Sequence, residues 1–284
     1  MSKKITDLPV ASSLNGSDKI EIVNAGVSKS ATISQLASLA GVVPAIGAFS
    51  TRPASPVSGQ LFYPTDGGYA QIFDGTSWWN IIGGVPVKQP PTAATLSSQW
   101  NFGTSSLTNV NGQLIFQPQV NAATSMRGAC KAITTLSAAS VTVSAAINCA
   151  APFAGIGPVF RESATGKILA LSMISKSTGT TFSFGYTWAT WASPTSRNGS
   201  PAPISFTFQD GQIGFIPPVM RMRVSGSNII SETSVDGGLN FVTLATIATT
   251  SAFTTAPDQF GIGAYVENNT NQAIHSISGL SFTG

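Results

Sequence analysis

The chain has 284 residues, 28 of them Gly and 17 Pro; 42% are hydrophobic and only 9% are charged, against about 25% in an ordinary soluble domain, so a disordered chain is excluded. Its net charge of +3 comes from 14 basic and 11 acidic residues that no window concentrates, which argues against a nucleic-acid partner. The mean hydropathy of +0.22 reflects Ala and β-branched residues, because Gly, Pro, Ser or Thr cuts every apolar stretch short of the ~20 residues needed to cross a bilayer. No membrane insertion is expected.

The start, Met1 to Asp7, leads into no apolar secretion segment, so synthesis and assembly in a cytoplasm are expected. There Cys130 and Cys149 stay thiols and serve as small buried hydrophobes.

Residues 1–45 form the first segment. Lys19-Ile20-Glu21-Ile22-Val23 alternates at the strand period, Asn24-Ala25-Gly26 supplies a turn, and Val27 to Ala31 returns as a second strand. Thr32-Ile33-Ser34-Gln35 has capping-box spacing ahead of Leu36 and Leu39, and Gly41 ends the short helix this predicts. Two turns of helix do not stand alone in water, so the segment must dock on something.

Residues 46–92 form the second. Gly59 to Tyr63, Tyr69 to Phe73 and Trp78 to Ile82 read as a three-stranded meander joined by Asp66-Gly67-Gly68 and Asp74-Gly75-Thr76. Phe62, Tyr63, Tyr69, Phe73, Trp78 and Trp79 carry more apolar surface than so small a sheet can bury alone. Burial against copies of the same chain in a closed ring is the expectation. Val85 to Thr92, with Pro86, Pro90 and Pro91, reads as a semi-rigid spacer.

Residues 93–284 read as one all-β domain of two packed sheets. Its short runs are Gln113–Phe116, Ser140–Ile147, Lys167–Ile174, Thr181–Trp188, Pro203–Phe208, Gln212–Ile216, Val219–Val224, Asn228–Ser234, Phe241–Ile247, Gln259–Glu267 and Ala273–Phe282. Met220, Met222 and Val224 point inward, which sends Arg221 and Arg223 to the solvated face.

Three stretches carry family resemblance. The first segment resembles N-terminal attachment segments of tailed-bacteriophage fibre and appendage proteins through Asp7-Leu8-Pro9, Leu14, Gly16-Ser17-Asp18 and Thr32-Ile33-Ser34-Gln35-Leu36. The second is similar to a β module recurring in phage virion proteins through Arg52-Pro53, the Gly59 to Tyr63 step and the Asp74-Gly75 to Trp78 ending. Residues 222–230, 234–241, 260–265 and 277–282 resemble concanavalin-A-like jelly rolls, the lectin and glucanase sandwich, with Phe241 where many members carry Trp. The resemblance implies a homotrimer on the virion surface, bound to tail, portal-neck or capsid proteins. It implies anchoring through Leu8, Leu14, Ile20, Ile22, Ile33 and Leu36, and trimer contacts through the six aromatics of the second segment. A tail fibre recognising host-surface glycan is expected, with a head fibre or capsid decoration as the alternative.

Little in the residues points to catalysis. His275, the sole histidine, stands in a Ser/Ile run without a triad pattern. Asp66, Asp74, Asp210 and Asp236 each precede Gly and read as turn formers. Glu162, Glu232 and Glu267 stand apart, so the clustered acids of jelly-roll glucanases are missing, and a glycan depolymerase remains a rival because carboxylates distant in sequence can meet. No loop holds calcium-type acids, and neither metal nor cofactor is expected. For glycan binding, Trp191 reads as a loop residue past a strand whose Phe182, Phe184, Tyr186 and Trp188 fill the core, with Arg197 and Asn198 as polar partners. Trp100 is expected to pack at the domain base.

Overall fold

A computed structural model of the chain describes residues 19–24, 27–32, 45–66, 69–82, 85–119, 125–149, 153–178, 181–199, 206–207, 219–234, 236–266 and 273–284. The protein is all-β apart from single-turn 3-10 segments and one four-residue helix, α1 (Thr249–Ala252), among the described residues. The expected N-terminal hairpin is present: β1 (Lys19–Asn24) pairs antiparallel with β2 (Val27–Thr32). The helix expected after Thr32 lies outside the described residues, as do Leu8, Leu14, Ile33 and Leu36. Of Ile20 and Ile22 only the backbone is described.

The second segment is a five-stranded mixed sheet and not a three-stranded meander. Its order is β3 (Ala45–Gly47), β4 (Leu61–Pro64), β5 (Gln71–Phe73), β6 (Trp78–Ile82) and β7 (Val85–Lys88). β3 runs parallel to β4. The expected spacer is therefore corrected: Val85 to Lys88 pairs with Trp79 to Ile82 as an edge strand, a place where Pro86 costs no needed donor. The aromatic expectation is corrected as well. Phe62 and Trp78 are buried within the single chain, edge to face at 6.1 Å, and Phe73 lies 5.4 Å from Trp78. These three rings bury one another on the face turned toward the large domain. Tyr63 is exposed, and Trp79 ties its indole N–H to Asp74 Oδ2 at 2.8 Å. The opposite face carries Ile46, Leu61, Tyr63, Ile72, Trp79 and Ile81, none fully buried, with Ile46 72% exposed.

The large domain is the expected two-sheet jelly-roll sandwich. Among the described residues one sheet has seven strands, ordered β20 (Val242–Ala248), β19 (Asn228–Ser234), β18 (Val219–Ser225), β12 (Ser140–Cys149), β22 (Ala273–Thr283), β10 (Gln113–Gln117) and β9 (Ser106–Val110). The other has eight, ordered β16 (Ser196–Gly199), β15 (Thr181–Ser193), β14 (Ile168–Thr178), β13 (Phe153–Arg161), β21 (Gln259–Val266), β11 (Ser125–Ala132) and β8 (Ser98–Trp100), with β17 (Phe206–Thr207) also on β15. All these pairings are antiparallel. Between the sheets lies one core built from Leu114, Phe116, Val141, Val143, Met220 and Met222 on one side and Ile156, Phe160, Leu171, Tyr186, Trp188 and Ile262 on the other. Tyr186 and Trp188 fill the core as expected, whereas the side chains of Phe182 and Phe184 lie outside the described residues.

A polar latch joins the small sheet to the sandwich. Asn80 is fully buried and its side-chain amide donates to Gly112 O at 3.1 Å and Ser278 O at 2.5 Å. Gln71 and Gln89 both donate to Asn80 Oδ1, and Arg52 Nη1 bridges the two glutamine oxygens. Arg52 also lies over the Phe49 and Trp78 rings. Its receiver, Asn111-Gly112, is the tight turn between β9 and β10, with φ of 46° and 76°.

Candidate functional site

The eight-stranded sheet has a second face, and it is curled over itself. Cβ alternation puts Met126, Gly128 and Cys130 of β11, Val159 of β13, Ile168 and Ala170 of β14, and Ala189 and Trp191 of β15 on that face. With Trp100 they form a core of their own. Its two sides meet across the face where Met126 N donates to Pro194 O at 2.8 Å. Glycines permit the curl. Gly128, Gly263 and Gly157 stand in register across three strands, and a Cβ on Gly157 would lie 1.9 Å from Leu171 O. The Trp100 ring covers Gly128, and its indole N–H donates to Cys130 Sγ at 3.4 Å. Burial pushes the Cys130 thiol up to about 12, which leaves it an inert filler. The Cys149 side chain lies outside the described residues.

Trp191 is therefore corrected. It belongs to β15, opposite Ile168, and is 1% exposed. Its strand continues past Trp188 to Ser193 because the face it occupies is also buried, so apolar residues do not stop where one core ends. Its indole serves packing and offers no open platform for a sugar ring. Arg197 pairs with Trp191 in register and is exposed. Its Nη2 donates to Thr187 Oγ1 at 3.4 Å. Together Met126, Ser172, Thr187, Ala189, Trp191 and Arg197 line a shallow surface depression with no enclosed room for a water molecule. Thus two of the three expected residues share one depression, with Trp191 as its floor and Arg197 at its rim; Asn198 is exposed outside its lining. Ser172 and Thr187 are polar lining residues that no sequence pattern marked. They face this side only because β14 and β15 keep strict alternation.

The described carboxylates are engaged elsewhere. Burial opposes ionisation of Glu162, yet hydrogen bonds from Thr255 Oγ1 and from the backbone of Thr254 and Thr255 outweigh it and hold the carboxyl at about 2. Glu232 does not stand alone as expected: it grips Arg221 at 2.6 Å and Arg223 at 3.1 Å on the outer face of the seven-stranded sheet. Arg221 also stacks 3.6 Å over Phe241. Asp236 is held at about 2, first by the Asn240 backbone N–H and then by the Ser234 hydroxyl, which is turn duty. Asp74 caps Thr76 and Ser77 in the same manner, Asp66 accepts from Phe49 N, and Asp258 accepts from Ser163. His275 is fully buried between Phe116 and Ile147, and burial pushes its imidazole down to about 3. Among the described residues no three His, Cys, Asp or Glu side chains are grouped to hold a metal ion, and no helix is long and apolar enough to cross a membrane.

No family model matches the sequence, and no curated protein matches it. Solved structures with a similar fold include a legume lectin-like domain from Entamoeba histolytica, at 10% identity over 63% of this chain and 86% of that one, TM-score 0.35. The CBM2 module of the evolved Dit of Lactobacillus casei BL23 phage J-1 is similar at 12% identity over 63% and 78%, TM-score 0.36. A xylan beta-1,4-xylosidase from Bacillus halodurans C-125 is similar at 10% identity over 80% of this chain and 46% of that one, TM-score 0.43.

Proposed function

We propose that the chain is a structural protein of the bacteriophage virion surface, a homotrimeric tail fibre or appendage. Residues 1–45 attach it to a phage structural protein, and the jelly roll presents a glycan-binding surface to the host. The observation that carries the assembly is the outward face of the small sheet, where Ile46, Leu61, Tyr63, Ile72, Trp79 and Ile81 lie side by side with Ile46 72% exposed. An apolar face of this kind on a chain whose opposite face is already packed calls for a partner, and the resemblance of Asp7 to Leu36 to phage attachment segments supports copies of the same chain in that place. The six side chains differ from the aromatic set expected from sequence, since Phe62, Phe73 and Trp78 turn to the sandwich.

Glycan contact belongs at the depression rimmed by Arg197 and Thr187, whose guanidinium and hydroxyl match sugar hydroxyls and acidic substituents. With every described carboxylate committed to a structural contact, binding is favoured over hydrolysis. Sedimentation should show a trimer at micromolar concentration, and a folded monomer there would sink the assembly. Arg197→Ala should weaken adsorption to host envelope polysaccharide by about five- to tenfold, on the order of 1 kcal/mol, at unchanged melting temperature. Unchanged adsorption would remove the depression as the site. Shortened polysaccharide after incubation with the purified chain would replace binding by catalysis.

A further inference from the structure

At one end of the sandwich, where β12 hands over to β13, two basic side chains are buried with no acid partner among the described residues. Arg127 is the third residue of β11 and shares its inward face with Ala129. It is 2% exposed; its Nη1 donates to Ser125 Oγ at 2.6 Å, and its Nε has no partner. His275 is the third residue of β22, inward like Ile277, and neither ring nitrogen has a partner. β11 and β22 belong to opposite sheets that face each other: Phe260 of β21 packs on Phe282 of β22 at 5.0 Å, and Lys131 of β11 lies over both rings. Counted from that contact toward the starts of β11 and β22, Arg127 and His275 point to the same end. The ion pairs among the described residues are those of Glu232 with Arg221 and Arg223, far along the other sheet edge.

An arginine does not discharge by losing its proton, and a buried, uncompensated charge is among the costliest features a fold can carry. With Nη1 spent on Ser125, the guanidinium edge carrying Nε is left to donate, and that edge suits the two oxygens of a carboxylate or phosphate. We propose that Arg127, backed by Ser125, forms a binding site for a small oxyanion, a carboxylate or phosphate group, at this end of the sandwich, toward which His275 also lies. The site is separate from the Arg197 depression and does not depend on the virion reading.

The test follows thermal unfolding of the full chain in inorganic phosphate and in glucuronate, each exchanged against chloride at constant ionic strength. A saturable rise in melting temperature of a few degrees is expected at several times Kd. Arg127→Met should abolish that dependence. If Arg127→Met does not fold, Arg127→Lys, which keeps the charge but loses the fork, should raise the half-saturation concentration about tenfold or more. A response to both anions supports a site for any small oxyanion, and a response to glucuronate alone narrows it to a sugar carboxylate. No saturable response, or the same response in the Arg127 variants, overturns the proposal. So does a Glu267→Gln variant that loses as much stability as Arg127→Met while the parent ignores both anions, since the counter-charge would then be the chain's own.

Discussion

Toward the seven-stranded sheet, β11, β13, β14, β15 and β21 present Ala129, Ile156, Phe160, Leu171, Trp188 and Ile262; away from it the same strands present Gly128, Gly157, Gly261, Gly263, Ala170 and Trp191. The first face buries its side chains against a partner sheet, so it needs bulk at every alternate position. The second buries its side chains against itself, so it needs bulk only at its margins and nothing at its floor. Burial alone therefore does not tell the two faces apart. The demand each makes on Cβ volume does.

The sharpest way to break that contrast is to give the floor side chains. Gly157→Ala sets a methyl 1.9 Å from Leu171 O, with the β14 backbone unable to yield. The curl should open or the chain fail to fold, with a loss above ~3 kcal/mol, read by denaturant unfolding; a variant as stable as the parent would mean that the floor has slack. Next comes Trp191→Ala, which empties the margin. The expected loss is ~3–5 kcal/mol, the range for large aromatic side chains in cores. A loss under ~1 kcal/mol would return Trp191 to the surface and the curl to an open groove.

A smaller effect sharpens the inward face. His275 titrates at about 3 in the folded chain against 6.5 unfolded, so its neutral form favours folding. That contribution is whole above pH 6.5 and falls by up to ~1.4 kcal/mol per pH unit as pH drops from 6.5 toward 3. Glu162 and Asp236, both depressed to about 2 from 4.5 and 3.8, lose their contributions below about pH 4.5. Between pH 6.5 and 5 the slope belongs to His275, and His275→Leu should flatten it. A slope that persists in the variant would assign it to another group.

Legibility in the sequence followed the same division. Strands buried on one face, such as Val219–Ser225 and Asn228–Ser234, alternate and were readable nearly to the residue. The hairpin of β1 and β2 was equally plain. β11 and β13 were not, because Ser-Met-Arg-Gly-Ala-Cys-Lys-Ala and Phe-Ala-Gly-Ile-Gly-Pro-Val-Phe-Arg are buried on both faces and carry the glycines the curl requires. Glycine and proline there look like chain breaks. Pro158 sits opposite Ile262, where the pairing of β13 with β14 skips two residues. At the candidate site, Trp191 and Arg197 were singled out by residue type, and the curl that buries one beside the other depends on contacts between strands far apart in sequence. The division of the small sheet's aromatics between two faces escaped the sequence for a related reason: alternation told which rings share a face, but only the Asn80 latch shows which face meets the sandwich.

The position of β22 bears on how the protein is made. Those eleven residues stand between β12 and β10, so until they arrive the seven-stranded sheet exists as two pieces with facing open edges. A ribosome must pass residue 283 before the ladder can close and Ser278 can receive Asn80. Every nascent copy thus exposes two uncharged strand edges during most of its synthesis, the kind of surface on which chains join before they finish folding. In a crowded polysome this favours either protection by a chaperone or early meeting of sister chains.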